Sequence, residues 1–302
     1  MKQTKDHIDQ ANTLRLIKSN SSENPSHPDN HMTRVFAVTS GKGGVGKTAV
    51  VSNLAVVMAR QGKKVLVIDA DLGLANIDVV YGLAPRFNLN HFFRGEKTLQ
   101  EILVEGPAGV KVLPAGSGVQ SYTHLDADHQ MNLIEELSSL HSQFDTVLID
   151  TEAGISENVT YFSGAAQDVL IVTTPDPTSL TDAYALMKLL SLHHDQKHFY
   201  LLVNQVRSGQ EGLEVFQKLT LVSNRYLNIS IDYLGSLFHD RRMPESVRRQ
   251  RAMVDLYASG KTRDSFEELA RCLDRAPLRR HPRGTLQFFW KQFLSENLRS
   301  CV

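Results

Sequence analysis

Read only for its hydrophobic and polar positions, the chain changes character at Arg34. Before it, Ile8 to Lys18 has helix-compatible spacing and runs into Ser19-Asn20-Ser21-Ser22-Glu23-Asn24-Pro25-Ser26-His27-Pro28, a turn-rich polar stretch with too few apolar side chains to bury a core. From Arg34 onward, short β-branched runs alternate with helical segments. The runs are Val35 to Thr39, Lys64 to Asp69, Val110 to Pro114, Thr146 to Asp150, Val169 to Thr174 and Phe199 to Asn204. None alternates apolar with polar, so each predicts a strand buried on both faces, as in a parallel sheet covered by helices. Helices are predicted at Thr48 to Gln61, closed by a left-handed Gly62, and at Gln130 to His141, Ser179 to Leu192, Gly212 to Tyr226 and Thr262 to Leu273. The expected fold class is α/β, a doubly wound, mostly parallel sheet with helices on both faces. The expected division is 1–33 as a short motif with a flexible linker, 34–276 as the α/β domain and 277–302 as an amphipathic C-terminal helix.

In that last segment Leu286, Phe289, Trp290, Phe293 and Leu294 fall on one helical face, with Lys291, Gln292, Ser295 and Glu296 opposite. Two readings stay open for the apolar stripe: packing on the domain, or contact with a lipid interface, where Arg279, Arg280 and Arg283 add attraction to anionic lipid.

Composition narrows the function classes. The 302 residues suffice for one large α/β domain with appendages. Lys+Arg and Asp+Glu balance at 33 each, so no whole-surface attraction to nucleic acid or anionic lipid is expected. Arg241, Arg242, Arg248, Arg249 and Arg251 form a local basic cluster, read as a salt-bridged helix surface before a DNA contact. Cys272 and Cys301 have neither CxxC spacing nor a histidine partner, which argues against a zinc or disulfide framework. His193, His194 and His198 are read as a solvated polar turn, not a metal site. No run nears the roughly 20 apolar residues that span a bilayer, and the N-terminus has no apolar signal core. The expected location is cytoplasmic.

The chemistry lies in Gly41-Lys42-Gly43-Gly44-Val45-Gly46-Lys47-Thr48, a G-x-x-x-x-G-K-[ST] match between a predicted strand and a predicted helix. Successive backbone N–H groups of Gly43, Gly44, Val45 and Gly46 would cradle phosphates at a helix N-terminus. Lys47 would reach the β and γ oxygens, and the Thr48 hydroxyl would ligate Mg²⁺. The expected substrate is ATP with Mg²⁺.

Lys42, a second lysine inside the loop, makes the octet resemble the deviant Walker A ATPases of the MinD/ParA class. The resemblance implies an ATP-sandwiched homodimer in which Lys42 crosses to the partner's phosphates. It implies that Asp71, in Asp69-Ala70-Asp71-Leu72-Gly73, orients the attacking water while Asp69 sits near the Mg²⁺ shell. Asp150, in Asp150-Thr151-Glu152-Ala153-Gly154, would hold Mg²⁺ through water, and Asn204 and Asp240 would read adenine. Two departures stand out. Glu152 puts a negative charge where relatives carry a small residue or proline, and Ala49 removes a hydrogen-bonding group from the α-phosphate side; together they predict modest affinity and altered switching.

Asp9-Gln10-Ala11-Asn12-Thr13-Leu14-Arg15 resembles the D-Q-A-x-x-L-R element of the flagellar number regulators, the FlhG, FleN and YlxH family. Leu72 to Asp78 and Gln250 to Val254 extend that likeness. The resemblance implies stimulation of the FlhF GTPase by Asp9, Gln10, Ala11, Leu14 and Arg15, with Gln10 entering the partner's catalytic centre. It further implies a FleQ-type transcription activator and flagellar switch-complex proteins as partners, membrane attachment in the ATP-bound dimer, and no direct nucleic-acid contact. The alternative is a ParA-like DNA-partitioning ATPase, which would use the arginine cluster. Iron–sulfur carriers on this scaffold need an interface cysteine pair that Cys272 and Cys301 do not offer.

Overall fold

The computed structural model describes residues 33–72, 76–116, 132–133, 136–137, 140 and 143–277. The N-terminal motif at Asp9 to Arg15, most of the predicted helix at 130–141 and the C-terminal helix carrying Leu286 to Leu294 lie outside the described residues.

All six predicted strands form. They are β1 (Arg34–Ser40), β2 (Val65–Ala70), β4 (Lys111–Leu113), β5 (Thr146–Ala153), β6 (Asp168–Thr173) and β7 (His198–Val206). Two unpredicted strands, β3 (Val104–Glu105) and β8 (Ser230–Phe238), occupy the edges. Among the described residues the sheet has eight strands in the order β3-β4-β2-β5-β1-β6-β7-β8. Every neighbouring pair is parallel except β3 with β4. The described helices are α1 (Lys47–Arg60), α2 (Ile77–Tyr81), α3 (Leu89–Phe93), α4 (Leu99–Ile102), α5 (Glu157–Ala165), α6 (Pro177–His193), α7 (Gly209–Tyr226), α8 (Arg242–Arg248), α9 (Met253–Leu256) and α10 (Lys261–Arg275).

The continuous apolar runs follow from two covered faces. Phe36 and Val38 of β1, Val65 and Val67 of β2 and Leu148 of β5 pack on one side with Val50 and Leu54 of α1 and Phe266 and Leu269 of α10. Their neighbours point the other way. Val35, Ala37, Leu66 and Ile68 meet Phe162 of α5, while Val169, Ile171, Phe199 and Leu201 meet Leu186 and Leu190 of α6 and Val215 of α7. Because side chains alternate sides along a strand, both sets must be apolar. Gly62 takes φ +89 and its N–H donates to Ala59 O at 3.0 Å, the left-handed closure expected after α1.

β1 sits centrally, between β5 and β6. The chain leaves it toward β2 on one side, whereas β6, β7 and β8 build the other, so the loop after β1 lies at a topological switch point, where doubly wound sheets bind ligands.

The opposite, N-terminal edge is pinned by a buried charge. Arg34 Nε and Nη2 donate to Asp168 Oδ2 at 3.0 and 2.9 Å, and Nη1 donates to Leu273 O and, at 2.9 Å, to Ala276 O. The guanidinium also lies 4.8 Å from the Phe36 ring centroid. One side chain thus joins β1, β6 and the end of α10. Substituting Asp168→Ala leaves that buried guanidinium without its counter-charge and is expected to lower stability by about 3–5 kcal/mol. The check is the urea midpoint, which should fall with an unchanged denaturant slope.

Candidate active site

The loop from Gly41 to Thr48 leaves β1 and enters α1 without spare room. A Cβ on Gly41 would lie 2.1 Å from Asp182 O, and Gly46 takes φ +93 with its missing Cβ 2.5 Å from Asn204 Nδ2. Glycine is required at both positions, one for close approach and one for conformation as well. Ser40 Oγ donates to Lys42 O at 2.8 Å, Asn204 Nδ2 to Val45 O at 2.7 Å and Gln205 Nε2 to Gly44 O at 3.4 Å. No side chain caps the start of α1 and its first turn has no acidic residue. The N-terminal amides and the positive end of the helix dipole are therefore available to an anion.

Strand pairing brings two carboxylates under this loop, since Asp69 of β2 and Asp150 of β5 are register partners and both are about 1% exposed. Asp69 accepts backbone N–H bonds from Asp71 at 3.2 Å, Asn76 at 2.9 Å and Ile77 at 3.1 Å, so its oxygens fix the turn into α2. Burial, with the Asp150 charge adding to it, pushes its carboxyl up to about 8 against the pull of those amides. Burial also raises Asp150, to about 6, while the Lys47 ammonium and a hydrogen bond from Thr48 hold it down and Asp71 opposes them. Asp150 Oδ1 is buried and finds no hydrogen-bond partner among the described residues. A buried carboxylate oxygen whose lone pairs accept no hydrogen bond, beside the Thr48 hydroxyl, is a hard oxygen donor set that suits Mg²⁺ and its waters.

The structure qualifies other sequence expectations. Lys42 Nζ is held within the chain, 2.8 Å from Asp176 Oδ2 and hydrogen-bonded to Thr178 Oγ1. Asp176 also caps α6 by accepting Thr178 N at 3.0 Å. Asp-Pro at 176–177 is a legible helix start, but nothing in the sequence pairs it with Lys42. Asp71 lies half-buried just past β2, where its charge reaches Asp150. Glu152 accepts a hydrogen bond from Ser156 Oγ, whose side chain caps α5, so this unusual acid braces the segment after β5. Ala49 offers only its carbonyl, which accepts Asn53 Nδ2 at 2.8 Å.

Asp240 is committed elsewhere. Its carboxylate accepts Arg242 Nη2 at 2.7 Å and Thr262 Oγ1 at 2.7 Å, and Arg242 foremost pulls its pKa far below the usual carboxylate range. Arg249 pairs with Glu245, so two of the five clustered arginines are ion-paired, as a salt-bridged surface requires. The polar-turn reading of the histidines needs correction: His193 ends α6, and His198 opens β7, 7% exposed, with Nε2 2.8 Å from Asp232 Oδ2. A carboxylate on the next strand makes a buried histidine affordable, which spacing alone does not reveal. Among the described residues no histidine, cysteine and carboxylate cluster could hold a metal through three such ligands, and no helix is long and apolar enough to cross a membrane.

An open cavity of about 450 Å³ adjoins the outer side of the loop, lined by Lys42, Gly44, Asp176, Gln205, Arg207 and Glu211 among others.

The buried carboxylates set a pH dependence. An acid whose folded pKa exceeds its unfolded value holds its proton more tightly when folded, so its contribution is favourable at low pH and is lost as pH rises through the folded pKa. For Asp150 that window runs from 3.8 to about 6, and for Asp69 from 3.8 to about 8. Without nucleotide, stability should fall between pH 6 and pH 8 by up to about 1.4 kcal/mol per unit on account of Asp69. Asp69→Asn is expected to flatten that fall in chemical denaturation series across the range.

A family model described as an AAA domain matches residues 33–202. The antiactivator FleN of Pseudomonas aeruginosa is 43% identical over 259 residues, covering 86% of this chain and 92% of that protein. The flagellum site-determining protein YlxH of Helicobacter pylori is 34% identical over 239 residues, 79% of this chain and 81% of its own length. The crystal structure of the cell division ATPase MinD of Pyrococcus furiosus superposes with a TM-score of 0.67 over 82% of this chain and all of that one, at 24% identity, a likeness of fold. With the two-lysine loop set over paired β2 and β5 carboxylates, these similarities establish that the chain belongs to the MinD/ParA-class ATPases, in the family of FleN and YlxH.

Proposed function

We propose that the chain is a MinD-like switch which binds ATP and Mg²⁺, closes into a homodimer around the nucleotides, and uses slow hydrolysis to regulate where and how many flagella are built. The observation that carries the ATPase half is the buried, unpartnered Asp150 Oδ1 beside Thr48 and Lys47. The flagellar half is supported by the similarity to FleN and YlxH along most of the chain.

In this reading Thr48 and Asp150 hold Mg²⁺, with Asp69 behind them shaping the loop to α2. The ion, when bound, neutralises charge on the phosphate oxygens. Lys47 and the amides of Gly43, Gly44, Val45 and Gly46 take the β and γ oxygens. Asp71 orients a water whose oxygen attacks the γ-phosphorus; the bond to the bridging oxygen breaks, leaving ADP and phosphate. Lys42 leaves Asp176 and stabilises the transferred charge on the second copy's nucleotide. Asn204 and Asp240 belong to the adenine side, where Asp240 acts through Arg242 and Thr262 because its own oxygens are taken. The segment with Asp9, Gln10, Ala11, Leu14 and Arg15 acts on an FlhF-type GTPase. The face with Leu286, Phe289, Trp290, Phe293 and Leu294 meets an anionic membrane in the ATP state. A FleQ-type activator and flagellar switch-complex proteins complete the partner set.

Lys42→Ala separates binding from switching. ATP affinity should stay within about twofold, while ATP-dependent dimerisation disappears and turnover drops at least about tenfold. Light scattering with and without ATP, paired with equilibrium titration, decides it; a dimer that persists in the variant would rule out the crossing lysine. For the flagellar assignment, full-length chain should accelerate GTP turnover by an FlhF-type GTPase, and Gln10→Ala should abolish the acceleration while ATP turnover of the variant stays normal. Equal stimulation by both chains would remove Gln10 from the partner's centre.

A further inference from the structure

β7 and β8 lose their register beside the phosphate loop. Val203 pairs with Ser236 and Val206 with Phe238, so three steps along β7 oppose two along β8. The extra residue lies in the Asn204-Gln205 pair, and Gln205 takes φ +59, a left-handed conformation that a non-glycine residue holds only where its surroundings impose it. The imposing bonds are visible. Gln205 N donates to Asn204 Oδ1 at 2.8 Å, Asn204 Nδ2 donates to Val45 O at 2.7 Å, and Gln205 Nε2 donates to Gly44 O at 3.4 Å. Two consecutive amide side chains therefore hold two consecutive carbonyls of the loop. Asn204 is further locked by Gly46, which leaves its Nδ2 only the space a Cβ would fill.

A trans peptide unit is planar, with C=O and N–H pointing in opposite directions. Holding the Gly44 and Val45 carbonyls toward β7 accordingly turns the Val45 and Gly46 N–H groups away from it. Those are amides that a loop of this motif offers to phosphate. We infer that the Asn204-Gln205 bulge is a positioning device for phosphate binding: it presets the amide directions of the loop, and Gln205 belongs to the site although it touches no reacting atom. The inference rests on the reading of residues 41–48 as a phosphate loop. It gives Asn204 a duty that precedes any contact with adenine.

A ligand without a base separates the two duties. The full-length chain is titrated with ATP and with inorganic tripolyphosphate, each with Mg²⁺, for wild type and for Asn204→Ala, Gln205→Ala and Gln205→Gly. Each lost bond is expected to weaken both ligands by the same factor, about three- to tenfold. Gln205→Gly carries the sharper test, because glycine accepts the left-handed backbone freely: its melting temperature should match or exceed that of wild type while tripolyphosphate binding still weakens. A merely structural residue would not give that split. If the Gln205 variants bind tripolyphosphate as wild type does, the positioning role is overturned. If Asn204→Ala loses affinity for ATP alone, Asn204 reads the base and does not set the loop. A wild-type chain that binds neither ligand would instead sink the phosphate-loop reading.

Discussion

Parallel pairing of β1, β2, β5, β6 and β7 is the constraint from which the active site follows. It sends every one of those strands toward the same edge, so the phosphate loop, Asp69, Asp150, Asp176 and Asn204 arrive together without any long excursion of the chain. It also lines up helix N-termini at that edge, since each crossover begins there. α1 begins with its amides uncapped, whereas α5, α6 and α7 begin with the side-chain caps Ser156, Asp176 and Ser208. The difference is physically consistent: in three helices a side chain satisfies one early amide, and the helix that follows the glycine loop leaves its first amides open to an anion.

The same convergence creates an electrostatic problem, because two carboxylates that pair across β2 and β5 are both removed from water. The chain answers it differently at each. Asp69 is given three backbone amides and becomes part of the turn architecture. Asp150 is given the Lys47 charge and the Thr48 hydroxyl, yet one oxygen is left without a partner. A fold under selection for stability alone would satisfy both, since an unmet buried acceptor costs on the order of 1–3 kcal/mol. The unmet oxygen, on Asp150, is the one that the proposed Mg²⁺ would engage.

How much of this was legible in the sequence depended on burial. Strands covered on both faces announce themselves as unbroken apolar runs, which is why β1, β2, β4, β5, β6 and β7 could be read directly. β8 is a half-exposed edge strand with Ser230, Asp232 and Ser236 interspersed, and β3 has two residues, so neither produces such a run. The loop at 41–48 was legible because glycine, lysine and threonine at fixed spacing answer to one requirement. Contacts between distant segments were not. Nothing local joins Lys42 to Asp176, His198 to Asp232 or Asp240 to Thr262, and those pairings explain why the lysine is not free, why a histidine tolerates burial, and why Asp240 offers adenine no open oxygen.

For the proposed switch, these contacts indicate which movements would break the most bonds. The Lys42–Asp176 pair is 38% and 47% exposed at its two side chains, so its net worth lies at about 0–1 kcal/mol. Asp176 accepts its cap bond from Thr178 N on Oδ1, whereas Lys42 sits on Oδ2, so the two contacts use different oxygens. Withdrawing Lys42 would give up this pair and its bond to Thr178 Oγ1 while leaving the cap oxygen of Asp176 untouched, so a modest new attraction would suffice to draw it away. Movement of the segment after β5 is a different matter. Gly154 N is tied to Ser40 O at 2.9 Å, Thr151 Oγ1 to Val38 O at 3.2 Å, and Glu152 to the residue that caps α5. Shifting that segment would break the bonds to β1 and the brace between Glu152 and Ser156 together. In the proposed switch the lysine would be the easily released part, and the bonds of residues 151–156 to β1 and to one another would be the harder ones to break.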